Sequence, residues 1–124
     1  MKLADCTEWA IAREFASKND GHLAYCWSTG LWYNIESIRA DRYWRPASKS
    51  RVTREIGSLC QERARELEPD AVAEGFAHLI LQIASGVTVA NIERLLRSDE
   101  LLEYETPQEL TQITGIEVLA EPAS

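Results

Sequence analysis

Residues 21–45 hold three of the chain's four tryptophans (Trp27, Trp32, Trp44) and three of its four tyrosines (Tyr25, Tyr33, Tyr43). Two short aromatic and apolar runs, 23–27 and 31–35, flank Ser28-Thr29-Gly30. Glycine enters the positive-φ region that a tight reversal needs, so the segment predicts a β-hairpin with a three-residue turn. Alternation then puts Leu23, Tyr25 and Trp27 on one face of the first strand, and Leu31, Tyr33 and Ile35 on one face of the second. An isolated hairpin is marginal in water, so one face has to lie against the rest of the chain. Aromatic rings dominate cores wherever they occur, and the plainest reading makes these the core of a small domain.

Most of the remaining periodicity is helical. Asp5 with Glu8 three residues on resembles a capping box and opens a helix over about residues 7–17, with Trp9, Ile11, Ala12, Phe15 and Ala16 on one broad face. After Ile35 the pattern weakens. Arg39, Arg42 and Arg45 recur at intervals of three, a spacing open to a helical turn or a loop, and Pro46 breaks any helix there. The clearest helix spans about 50–68, where Val52, Ile56, Leu59, Cys60, Ala64 and Leu67 form a single stripe and Pro69 is expected to end it. Val72, Phe76, Leu79, Ile80 and Ile83 predict another over 70–84, with Glu74 and His78 as a solvated pair on its outer side. Thr88 is placed to cap a helix over 89–97, Thr106-Pro107 starts a short one through Gln112, and 116–119 reads as a short strand.

These elements predict a mainly α fold in one domain over residues 1–124. A small N-terminal hairpin at about 23–35 precedes a bundle of four to five helices, centred on about 50–112, and a tail over 113–124. A chain of 124 residues buries about two-thirds of its unfolded surface, enough for one core without disulfides or metal. Cys6, Cys26 and Cys60 are odd in number and form no C-x-x-C, which argues against a disulfide framework and against zinc. No run approaches the ~20 apolar residues of a membrane span, and the first residues lack a signal peptide's hydrophobic stretch. The expectation is a cytoplasmic protein with no membrane partner.

The net charge of −7 is unevenly spread. Residues 39–65 carry eight basic and three acidic groups, whereas residues 66–124 carry two basic and twelve acidic ones. A basic middle facing an acidic C-terminal half is a polarised molecule, and distribution decides partners more than the total does.

The aromatic segment also carries a family resemblance. Gly21-His22-Leu23-Ala24-Tyr25, Gly30-Leu31-Trp32-Tyr33 and then Trp44 resemble the domain that precedes the superfamily-three helicase in phage and plasmid primase-helicases, a poxvirus-type primase N-terminal-like domain. The run from Val89 to Asp99, VANIERLLRSD, is similar to the helix that ends that domain, and Thr106-Pro107-Gln108-Glu109-Leu110 to the element after it. Asn34-Ile35-Glu36 stands where the family often has W-D-G, and Thr111-Gln112-Ile113 where it continues toward the helicase. The likeness covers about residues 8–110. It implies a DNA-replication accessory role, with single-stranded DNA and a helicase or primase protein as expected partners.

No enzyme site is legible. There is no P-loop glycine run, no D-x-D cluster for two metal ions, and neither His22 nor His78 has a partner at ligand or triad spacing. The expectation is a chain without catalytic residues, metal or cofactor. The candidate nucleic-acid-binding residues are Arg39, Arg42, Trp44, Arg45, Lys49, Arg51 and Arg54. Arginines reach phosphates, and an exposed ring gives bases a stacking platform worth ~1–3 kcal/mol each. Against this stands a plain alternative: Trp44 is buried and the arginines pair with the acidic half. A second function class also stays open, a protein-interaction module that docks on a replication partner through its acidic face. Arg63, in the middle of the apolar stripe of 50–68, has three readings. It snorkels, it pairs with a carboxylate from the acidic half, or it lines a groove for an anionic ligand.

Overall fold

The computed structural model describes residues 8–74 and 85–119. Among these the elements run α1 (Glu8–Lys18), β1 (Leu23–Cys26), β2 (Leu31–Ile38), β3 (Asp41–Ala47), α2 (Lys49–Glu74), α3 (Gly86–Arg97), β4 (Glu103–Tyr104) and α4 (Pro107–Thr114). The predicted hairpin is present as β1 and β2, joined through Gly30 at φ 66°, with Trp27 in the turn rather than on the strand. It is not a small appendage to a bundle. It forms the middle of a four-stranded mixed sheet of order β3-β2-β1-β4, in which β1 pairs antiparallel with β2 and parallel with β4. The fold is therefore α/β, not mainly α.

The sheet has two buried faces. Leu23, Tyr25, Trp32 and Ala47 face α1, α2 and α3, in one cluster with Ile11, Phe15, Val52, Ile56, Ile92 and Leu96. Ala24, Cys26, Tyr33 and Trp44 face the other way, under Leu110 of α4. Alternation along each strand accounts for both sets, because successive side chains point to opposite faces. After α4, Gly115 turns the chain at φ 73°, and residues 117–119 bond to the outer edge of β3 at Trp44. The Trp44 N–H points outward to the Glu117 carbonyl, at 2.8 Å. Pro46, two residues on, shares that outward orientation, so its missing N–H costs the ladder nothing.

The helices differ in detail from the periodicity. Trp9, expected inward, is 59% exposed. Helix α2 keeps Val52, Ile56, Leu59, Cys60 and Ala64 of the predicted stripe buried, with the Leu67 side chain outside the described residues, and it continues through Pro69 to Glu74. A proline deletes one helical hydrogen bond and crowds the carbonyl four residues back, which bends a helix without having to end it. Residues 70–74 thus belong to α2, and the rest of the predicted 70–84 helix, with the His78 half of the Glu74–His78 pair, lies outside the described residues. Helix α3 starts three residues before the predicted point, with Ser85 accepting from the Thr88 N–H at 3.2 Å.

Buried thiols lie on both sides of the sheet. Burial, with Glu109 adding for Cys26 and Glu8 for Cys60, pushes both to about 11, so they stay protonated at neutral pH. Among the described residues no helix is long and apolar enough to cross a membrane.

Candidate nucleic-acid interface

Strand β2 outruns its neighbour. Only residues 31–34 of β2 pair with β1, and the last contact on that side is the Ile35 N–H to the His22 carbonyl at 3.0 Å. Beyond it, residues 36–43 form a two-stranded ribbon closed by the Ile38–Asp41 pair. Three residues per strand project it roughly 10 Å past the sheet. Its tip is Arg39-Ala40, both at positive φ, 53° and 71°. A two-residue reversal with both φ positive favours Asn-Gly, and an ordinary side chain there costs about 1–2 kcal/mol per residue. The sequence thus places a strained arginine at the most outlying point of the ribbon.

The seven candidates separate into three groups. Trp44 is not a stacking platform: it is 1% exposed, packs under α4 and donates its indole N–H to Thr114 Oγ1 at 3.0 Å. The reason is alternation, which sends Trp44 to the α4 face beside Ile35. Arg45, Arg51 and Lys49 are neutralised locally. Arg45 lies 3.3 Å from Glu36, Arg51 lies 3.5 Å from Glu55, and Lys49 Nζ reaches Glu93 at 3.8 Å. Asn34, oriented to satisfy both ends of its amide, bridges the Arg45 carbonyl and the Arg51 guanidinium. Asn34, Arg51 and Glu55 edge a polar cleft of about 140 Å³ with His22 and Asn19. Arg39, Arg42 and Arg54 are exposed and make no ion pair among the described residues.

The partners of Arg45, Arg51 and Lys49 are not simply the acidic C-terminal half. Glu36 reaches Arg45 from the neighbouring strand, Glu55 lies one helical turn from Arg51, and only Glu93 comes from beyond residue 65. Glu93 itself is 1% exposed. It receives the Arg97 guanidinium through two bonds of 2.6 Å and the Trp32 indole N–H at 3.1 Å. Burial alone raises a carboxyl, but the bonds from Arg97 and Trp32, with the charges of Arg97 and Lys49, outweigh it and hold Glu93 below its ordinary value. Arg97 also lies 5.4 Å above the Tyr25 ring.

Arg63 sits in a comparable network, at 8% exposure. Both of its ends are held by Glu14 of α1, with Nε to Oε1 at 2.7 Å and Nη2 to Oε2, while Nη1 takes Glu66 one turn on at 3.0 Å. Of the three readings, pairing describes it, but the principal partner comes from α1 rather than from the acidic half. Snorkelling fails because the guanidinium itself is covered.

Sequence reasoning missed the ribbon and its strained tip. The signal lay in Ile38 and Asp41, which bracket a two-residue reversal, but the arginine spacing of three masked the alternation. Among the described residues no three His, Cys, Asp or Glu side chains gather as a metal site requires. No protein-family model, curated protein or solved structure matches this chain.

Proposed function

We propose that this chain is a non-catalytic accessory domain of DNA replication that holds single-stranded DNA through the tip and flank of the β2–β3 ribbon and the first turns of α2. The observation that carries the reading is the set of exposed guanidiniums of Arg39, Arg42 and Arg54, which make no ion pair among the described residues, two of them on a ribbon that leaves the body of the fold. Guanidiniums that no carboxylate neutralises keep their charge for phosphates. The resemblance of residues 8–110 to the pre-helicase domain supports the replication context. With Trp44 in the core and few cations available, binding is weak, electrostatic and indifferent to sequence.

The test is a fluorescence-anisotropy titration of a labelled oligothymidylate of about twenty nucleotides. The triple substitution Arg39→Ala, Arg42→Ala, Arg54→Ala is expected to weaken binding at least tenfold, with the melting temperature nearly unchanged because none of the three is buried. Undiminished binding by that variant removes the interface. A second variant separates strain from recognition. Arg39→Asn with Ala40→Gly gives the tip the residues its backbone favours and is expected to stabilise the fold by about 1 kcal/mol in urea. The same pair deletes one phosphate contact, so affinity for the oligonucleotide should fall about threefold or more. Stability that rises with affinity intact takes Arg39 out of the interface.

A further inference from the structure

We infer that the face opposite α1–α3 carries a docking groove for a cationic amphipathic helix of a partner protein. A groove of about 620 Å³ runs between the start of β2 and α4, lined by Leu31, Tyr33, Pro107, Thr111, Gln112 and Val118 among others. Among the described residues no charged side chain lines it, and Leu31 is 43% exposed at its rim. The volume lies within the range of ligand clefts, and the mix of apolar walls with a few hydroxyl and amide groups is typical of recognition sites.

Charge selects the occupant. Residues 103–119 carry Glu103, Glu105, Glu109 and Glu117 and no Lys, Arg or His. Glu105, Glu109 and Glu117 each stand within two residues of one that lines the groove. A phosphate backbone is repelled from such a surface, whereas lysines and arginines flanking an apolar anchor are attracted to it. The binding mode follows from the sheet. Beside the groove, β3 is already bonded to 117–119 at Trp44 and β1 to β4 at Tyr25 and Cys26, so among the described residues strand addition there lacks a long edge. A helix laid in the groove does not need one. Helix α4 has eight residues and is about 12 Å long, so the groove matches roughly two turns with apolar anchors at i, i+3 or i+4, and i+7. The partner is a short helix with leucine-like anchors and basic flanks, and it docks on the side of the sheet away from α2 and its Arg54.

The probe is a fluorescein-labelled, capped peptide of about fourteen residues, with leucines at that helical spacing and lysines on the flanks. Saturable binding in the micromolar range is expected. Thr111→Trp, which fills the groove without changing charge, should weaken it at least tenfold, and Gln112→Trp serves if the first variant melts early. Glu105→Gln should weaken it about twofold or more and reduce its sensitivity to salt. The proposal is overturned by no binding, by equal binding of a scrambled peptide of the same composition, or by a groove-filled variant that binds as before. It is also overturned if sedimentation shows a dimer of this chain that Thr111→Trp dissociates, since the occupant is then a second copy.

Discussion

Replacing Arg97 with methionine is expected to destabilise the fold by about 3–5 kcal/mol in urea unfolding at neutral pH, a large share of the stability of a domain this size. Methionine keeps the apolar length but removes both bonds to Glu93, which at 1% exposure cannot turn to water. Among the described residues, Lys49 at 3.8 Å and the Trp32 indole are then what faces the carboxylate. The sign with pH follows from Glu93. Its pKa in the folded wild type lies below the ordinary carboxyl value, so its contribution is present above the unfolded pKa and is lost as pH falls through the folded one. Without Arg97, burial dominates and the folded pKa rises, so the variant is relieved as acid protonates Glu93. The gap between the two proteins should therefore be widest near pH 7 and narrow toward pH 4. Adding Glu93→Gln, which keeps an acceptor for Trp32, should recover at least half of the loss. A gap independent of pH places the cost in lost packing on Tyr25 instead.

Arg63→Met is expected to cost about 2–3 kcal/mol, less than Arg97→Met, by the scale of hydrogen bonds to charged groups. Glu14 is a quarter exposed, with a side-chain accessibility of 24%, and keeps Lys18 at 3.0 Å. Water and a second cation therefore soften its loss. The effect should appear in unfolding without altering oligonucleotide affinity, because the guanidinium is spent on α1. A change within about 1 kcal/mol returns Arg63 to the snorkelling reading. A loss of DNA binding with normal stability returns it to the ligand groove.

The parts of this fold that were legible are those where burial and period agree. The face assignments of Leu23, Tyr25, Leu31, Tyr33 and Ile35, and the stripe from Val52 to Ala64, follow from spacing alone. What was not legible needed a partner to define it. Residues 36–43 form strands whose exposed side chains carry no apolar alternation, and β4 has only two residues, held by its place beside β1. The sheet was therefore undercounted and the fold class misread. Among the candidate cations, spacing singled out the arginines as a group, but only placement showed which lie beside Glu36, Glu55 and Glu93. Trp44 misled for the same reason: an aromatic next to arginines reads as a platform until the strand shows which face it takes.

The salt dependence of oligothymidylate binding tests the proposed interface most directly. Three phosphate contacts on a single strand predict that log K falls against log salt with a slope of about −2, and that Arg39→Ala, Arg42→Ala, Arg54→Ala brings the slope close to zero. A slope near zero for the wild type, no binding at about 50 mM salt, or a triple variant with the parent's slope contradicts it.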